Sequence, residues 1–206
     1  MAQPRVPPGR AGRLRLRRSL EAARRGADLL DQKLRILRDR HEELLRAERT
    51  AREQWYEYLA RADEWLRRGL LLGGEEELET IRPARAAEVT VSWTSTMGVR
   101  HPGGAECTVS AREADEPVAS NTALVHFEVA CAEAVRAAAD YAVARAASRA
   151  LGDEVVRTGR RVRSLRRHWI PRLEEALHAV DLALEQSEHE DAVRRRWAAG
   201  SRQRAS

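Results

Sequence analysis

The stretch LRRSLEAARRGADLLDQKLRILRDRHEELLRAERTAREQWYEYLARADEWL, residues 16–66, decides the fold class. Its apolar and small residues recur at Leu16, Leu20, Ala23, Ala27, Leu30, Leu34 and Leu37, then at Leu44, Ala51, Trp55, Tyr58, Ala62 and Trp65, with His41 and Glu48 filling the gaps. The steps alternate between three and four. Sustained over about six heptads without a proline, that alternation is the a/d seam of a coiled coil. Leu45, Leu59 and Leu66 broaden the stripe, which implies that the distal half packs against more than one surface. Polar seam residues such as His41 and Glu48 more often fix register than do chemistry. The helix is expected over residues 10–71, stopping within residues 69–74, where flexible glycines coincide with loss of period.

A second helical stretch is expected over residues 121–199, opened by Ser120, Asn121 and Thr122 as candidate N-caps. Its seam reads Phe127, Cys131, Ala134, Ala138, Tyr141, Leu151, Val155, Val162, Leu165, Trp169, Leu173, Leu177, Val180 and Leu184. The spacing slips around Leu173, where successive steps of four form a stutter. Pro171 sits at that slip and removes a backbone hydrogen bond, so a kink is expected there, with the helix resuming beyond it.

Between the two helices, residues 72–120 differ in character. Residues 88–93 alternate, with Val89, Val91 and Trp93 on one face, and residues 106–110 repeat the pattern more weakly through Cys107 and Val109. Together they read as a β-hairpin over about residues 88–110. The connection holds Met97, Gly98, Val99, Pro102, Gly103 and Gly104, which reads as a long loop rather than a two-residue turn. A lone two-stranded hairpin is marginal in water, so it must rest on a helix or on a partner. Two long helices joined by such an excursion close as an antiparallel pair. At 1.5 Å per residue, roughly 60 and 78 residues would form rods of about 90 and 115 Å, with residues 1–9 and 200–206 as flexible ends. The expected fold is thus mainly all-α: a long antiparallel two-helix coiled coil with a small β-hairpin head.

Composition agrees with exposed helices. The 206 residues are 43% hydrophobic, only 4% aromatic and 33% charged, with 37 basic against 32 acidic side chains. Lys33 is the only lysine, so the positive charge is nearly all arginine. The alanine-rich stretch is cut by Asp140, Arg145 and Arg149, so no run is apolar enough to span a membrane. No apolar segment follows the arginine- and proline-rich start, and a cytoplasmic location with Cys107 and Cys131 reduced is expected.

No catalytic constellation emerges. The histidines are scattered, with no HExxH and no CxxC, and the acidic cluster Glu185, Glu188, His189, Glu190 and Asp191 reads as a solvated helix face rather than a metal site. No metal, cofactor or catalytic residue is expected. Basic charge concentrates at both termini: Arg13, Arg17 and Arg18 among others near the start, and Arg194, Arg195 and Arg196 near the end. Antiparallel pairing would bring these together as one tip. On charge alone, an arginine-rich coiled coil that binds nucleic acid remains open beside a protein-binding one, although only Trp197 offers a ring to stack on bases.

Three strings resemble the D subunit of the V-type and A-type rotary ATPases, the central-stalk shaft. Residues 6–37 carry Pro7, Pro8, Leu14, Leu16, Leu20, Gly26, Leu29, Leu30 and Lys33 in the pattern of that family's first helix. The string TGRRVRSLRRHWIPRLEEAL resembles its carboxy-terminal signature at Arg160, Arg161, Val162, Leu165, Ile170, Pro171 and Leu173, and MGVRHP its hairpin at Met97, Gly98, Val99 and Pro102. Departures fall at Arg163, Ser164 and Arg166, and at Leu34 and Arg35. The resemblance implies a non-catalytic rotor shaft of an ATPase or ATP synthase. Its termini would enter the hexamer of catalytic and non-catalytic subunits, its head would bind the F subunit of the central stalk, and it would stand on the subunit capping the membrane rotor ring, peripheral to the membrane. It implies no direct contact with nucleic acid and no insertion in the bilayer.

Overall fold

The computed structural model describes residues 9–76, 86–110 and 121–203, with side chains to residue 199. In chain order the elements are helix α1 (Arg10–Gly73), strands β1 (Glu88–Thr96) and β2 (Val99–Thr108), helix α2 (Thr122–Ser164), a π-helical turn (Leu165–Trp169) and helix α3 (Ile170–Gln203). Two long helical stretches thus flank a small antiparallel hairpin. The candidate cap Ser120 and the ends at 1–8 and 204–206 lie outside the described residues.

Helix α1 has no acidic side chain in its first turn and no basic one in its last, so little at its ends offsets the macrodipole and burial must hold it. Gly9, at φ 86, lends its carbonyl to the Arg13 N–H at 3.2 Å. At the other end Gly74 adopts φ 78 and its N–H closes on the Leu70 carbonyl at 2.9 Å, an αL termination. Gly69 lies inside the helix instead of ending it. A Cβ there would stand 2.7 Å from Leu124 Cγ, so glycine is what lets the start of α2 approach α1. Asn121 caps α2 by accepting the Leu124 N–H at 2.9 Å, while its amide donates to the Gly69 carbonyl at 3.3 Å.

The chain divides into two compact units, one formed by residues up to Leu34 with those from Arg157 onward, the other by Arg35–Val156. In the first, Leu16, Leu20 and Leu173 form a buried cluster onto which Ala23, Ile170, Ala176, Leu177 and Val180 pack. Ion pairs flank the interface in antiparallel order: Arg10 with Glu188, Arg13 with Asp181, Arg24 with Glu174, and Arg166 with both Asp28 and Asp31. The seam residue Leu34 is buried in this unit, while Leu30, Leu165 and Leu184 are half-buried.

In the second unit Leu37, Leu124 and Leu151 are fully enclosed. Small buried residues on α2, namely Ala130, Ala134, Ala137, Ala147 and Ser148, leave room for bulk such as Trp55, which stacks on Tyr141 at 5.4 Å. Leu44 and Trp55 are half-buried. The expected widening of the α1 stripe fails at Leu45 and Leu59, which face solvent, because the alanine-lined partner offers a single narrow seam.

Trp169 does not belong to the seam. It is 44% exposed because the π turn inserts one extra residue, so the seam steps five from Leu165 to Ile170 before resuming at Leu173, Leu177, Val180 and Leu184. The helix passes through Pro171 and runs on to Gln203.

The hairpin also differs from the expected long loop. Its strands meet at a two-residue turn, Met97 and Gly98, with φ 51 and 81, the two positive values of a type I′ turn. The Gly-Pro-rich residues lie within β2 instead. Ser92 pairs with Gly104 and Trp93 with Pro102, so Gly103 is the surplus residue of a bulge, where a Cβ would already press on Thr94 Cγ2 at 3.2 Å. A bulge uses the same glycines as a loop, which is why composition alone pointed to a loop.

Candidate functional site

Charge separates the two units. Residues 1–34 and 157–206 carry 21 basic against 10 acidic side chains, net +11, whereas residues 35–156 carry 16 against 22, net −6. In the basic unit, Arg17 and Arg18 point to solvent on α1, and Arg194, Arg195 and Arg196 are exposed on α3 beside Trp197, which is 80% exposed. Arg13 is engaged elsewhere. Its Nε lies 2.6 Å from Asp181 Oδ1, both atoms shut off from solvent and imperfectly aligned for a hydrogen bond, so the pair is held by charge. Arg194 pairs along its own helix with Glu190 at 3.4 Å and Asp191 at 3.6 Å.

These arginines share one end of the unit without forming a single cluster. Arg10 at the start of α1 faces Glu188, so Arg194–Arg196 lie past it, about 20 Å along the axis from Arg17 and Arg18. Among the described residues the carboxy-terminal arginines therefore lie beyond the first turn of α1, and the amino-terminal ones flank the pair.

A second surface is the hairpin. Val89, Val91 and Trp93 lie on one face of β1 and are exposed, as is Met97 in the turn; Gly98 is exposed and Val99 half-buried. Arg100 covers the Trp93 ring at 4.8 Å. On the opposite face His101 is buried, its Nδ1 donating to the Pro102 carbonyl at 2.9 Å and its Nε2 3.0 Å from Thr96 Oγ1. In the sequence His101 is one of six scattered histidines, since only the register puts it opposite Thr94 and on the same face as Thr96.

At the end of the helix pair in the same unit, Trp65 stacks on His126 at 4.6 Å under the Arg68 guanidinium. Leu71 and Leu72 are exposed beside them, and with Thr122 and Ala123 they line an open apolar depression. Among the described residues, chemistry-bearing groups do not converge, and no three of His, Cys, Asp and Glu are grouped to hold a metal ion. Cys107 and Cys131 are free thiols, and burial pushes the Cys131 thiol up, away from a reactive thiolate.

Of the string at residues 158–177, Arg160 and Arg161 are exposed, Val162 and Leu173 buried, and Leu165, Ile170 and Pro171 half-buried around the π turn. The profile of the ATP synthase D subunit matches residues 13–200, from the first turn of α1 into the last turn of α3. The chain belongs to this family. Relatives in it include the V-type ATP synthase D subunit of Anaeromyxobacter sp. (strain Fw109-5), 32% identical over 92% of this chain and 91% of that protein. Another is the V-type ATP synthase D subunit of Acetivibrio thermocellus, 28% identical over 94% of this chain and 90% of its own length. Family membership covers both helical stretches and the hairpin, and makes the chain one component of a V/A-type ATPase assembly. Among the described residues no helix is long and apolar enough to cross a membrane.

Proposed function

We propose that the chain is the central-stalk rotor component of a V/A-type ATPase or ATP synthase, coupling rotation of the membrane ring to changes at the nucleotide sites of the catalytic hexamer. The observation that carries this is the family match across both helices of an antiparallel pair whose seam is mainly apolar and whose outer surface is charged. Two helices have no threefold symmetry. Three equivalent nucleotide sites around such a pair each meet a different face, so turning it changes which site is open. The chain needs no catalytic group of its own for this role.

Within that reading the basic unit, through Arg17, Arg18 and Arg194–Arg196, meets the catalytic and non-catalytic subunits of the hexamer. Exposed arginines suit that place, because solvated ion pairs can be remade at each step at small desolvation cost. The hairpin face of Val89, Val91, Trp93 and Met97 binds the F subunit, which supplies the cover that a two-stranded sheet lacks. The depression at Trp65, Leu71 and Leu72 stands on the subunit capping the rotor ring, so the chain reaches the membrane only through the complex.

Co-expression with the remaining ATPase subunits and pull-down of this chain tests the assignment, with recovery of the hexamer and the F subunit expected. Recovery of nucleic acid instead, with affinity falling steeply as salt rises, would replace it with the arginine-rich nucleic-acid-binding alternative.

A further inference from the structure

We propose that the π-helical turn at Leu165–Trp169 is a built-in point of compliance in the second helical stretch, fastened to α1 by Arg166; its use as torsional give under load rests on the rotor reading above. Three observations converge on it. The first is backbone bonding. Ile170 donates its N–H to the Leu165 carbonyl, five residues back, and Pro171 has no N–H, so the Arg166 carbonyl is left without an i+4 or i+5 donor. The second is packing. None of the five residues of the turn is buried, and no residue between Val162 and Leu173 is, although both of those are. A segment with few buried apolar contacts opens at lower cost than its flanks.

The third observation is a cross-helix fastening. The Arg166 guanidinium lies 3.3 Å from Asp28 and 3.4 Å from Asp31, which are one turn apart on α1. One side chain therefore bridges two anchor points directly opposite the loosest backbone. The surplus residue is what the seam demands: removing one position converts the step of five from Leu165 to Ile170 into a regular step of four. The turn thus stores one residue of register, which a continuous α-helix would not have, and the double ion pair resists its release.

Hydrogen–deuterium exchange on the full chain, read by peptide mass, tests this directly. Amides of residues 165–172 are expected to exchange at least tenfold faster than those of residues 173–180. Deleting Arg167 together with Pro171→Ala gives an unbroken heptad and an unbroken hydrogen-bond ladder, and is expected to bring the segment to the rate of its flanks. Equal rates across residues 158–180 in the unaltered chain would overturn the proposal, as would fast exchange that survives the deletion. Should the deletion variant fail to fold, Arg166→Ala decides: a further rise of threefold or more in residues 165–172 alone is expected, and no change would overturn the clamp. Pull-down of the ATPase subunits is read separately, so loss of the rotor reading and loss of this one appear in different experiments.

Discussion

The Ser148 hydroxyl donates to the Glu48 carboxylate across the α1–α2 interface, joining two polar residues where a heptad calls for apolar ones. The same hydroxyl lies 3.0 Å from the Arg145 carbonyl, so its one proton has two acceptors within reach in a buried position. Ser148→Ala should cost about 1 kcal/mol, because Glu48 keeps its desolvation and loses a charge-assisted bond. Combining it with Glu48→Leu should recover most of that loss. Urea unfolding of the two singles and the double, treated as a mutant cycle, checks this, and strictly additive losses would show that the pair does not couple.

Glycines separate by what lies opposite them. Around Gly26 there is nothing within 4 Å of where a Cβ would stand, so Gly26→Ala should raise stability by about 1 kcal/mol through helix propensity. Gly69→Ala gains the same propensity but drives its methyl into Leu124, which is fully buried and cannot yield. A net loss of about 1 kcal/mol or more is expected. Thermal or urea midpoints of the two variants should move in opposite directions.

That contrast shows what the sequence could and could not disclose. The three-four alternation through Leu20, Leu34 and Leu37 made the helix pair legible, since burial follows directly from period. Gly69 was not legible as a contact: a glycine near the end of a period reads as a stop, and the bond from the Asn121 amide to the Gly69 carbonyl, with Leu124 packed against it, reveals that a second helix arrives there. The stutter near Leu173 was visible, but a π turn and a kink leave the same trace in spacing, so Trp169 reads as a seam residue one position too early. In the hairpin, Gly98 alone supplied a turn signal while Met97 concealed the second positive φ. The outward arginines were visible as charge, whereas the pairing of half-buried Arg13 with Asp181 depends on which side of the seam each flanks.

Leu37 and Leu29 test the seam itself. Leu37 is fully buried and Leu29 is 65% exposed on the same helix. Leu37→Ala should cost about 2–5 kcal/mol, and Leu29→Ala should stay within about 0.5 kcal/mol of the parent. Equal losses in chemical denaturation would mean that α1 buries a different face.

Met97 holds φ 51 in a turn where glycine, asparagine or aspartate is the usual occupant. Met97→Asn should therefore stabilise the hairpin by about 0.5–1 kcal/mol, visible as slower amide exchange in β1 and β2. If this exposed side chain serves the proposed contact with the F subunit, the same variant should bind that partner more weakly while its hairpin becomes firmer. Slower exchange with undiminished binding would leave Met97 without a role in recognition.

The two proposed interfaces can be separated by substitutions that spare the helices. Arg194, Arg195 and Arg196 are exposed, and the ion pairs of Arg194 are solvated contacts that contribute little to stability. Changing all three to Gln should leave helix content intact yet weaken capture of the catalytic hexamer, with the effect shrinking as salt rises and screening shortens. The F subunit should still bind, because the hairpin belongs to the other compact unit and keeps its own surface. Conversely, Val91→Ser with Trp93→Ser removes apolar area from an exposed face, so folding should survive while the F subunit is lost and the hexamer is retained. Pull-downs of both variants against both partners complete the comparison. Loss of the F subunit from the arginine variant, with circular dichroism unchanged, would mean that the two surfaces have been assigned to the wrong partners.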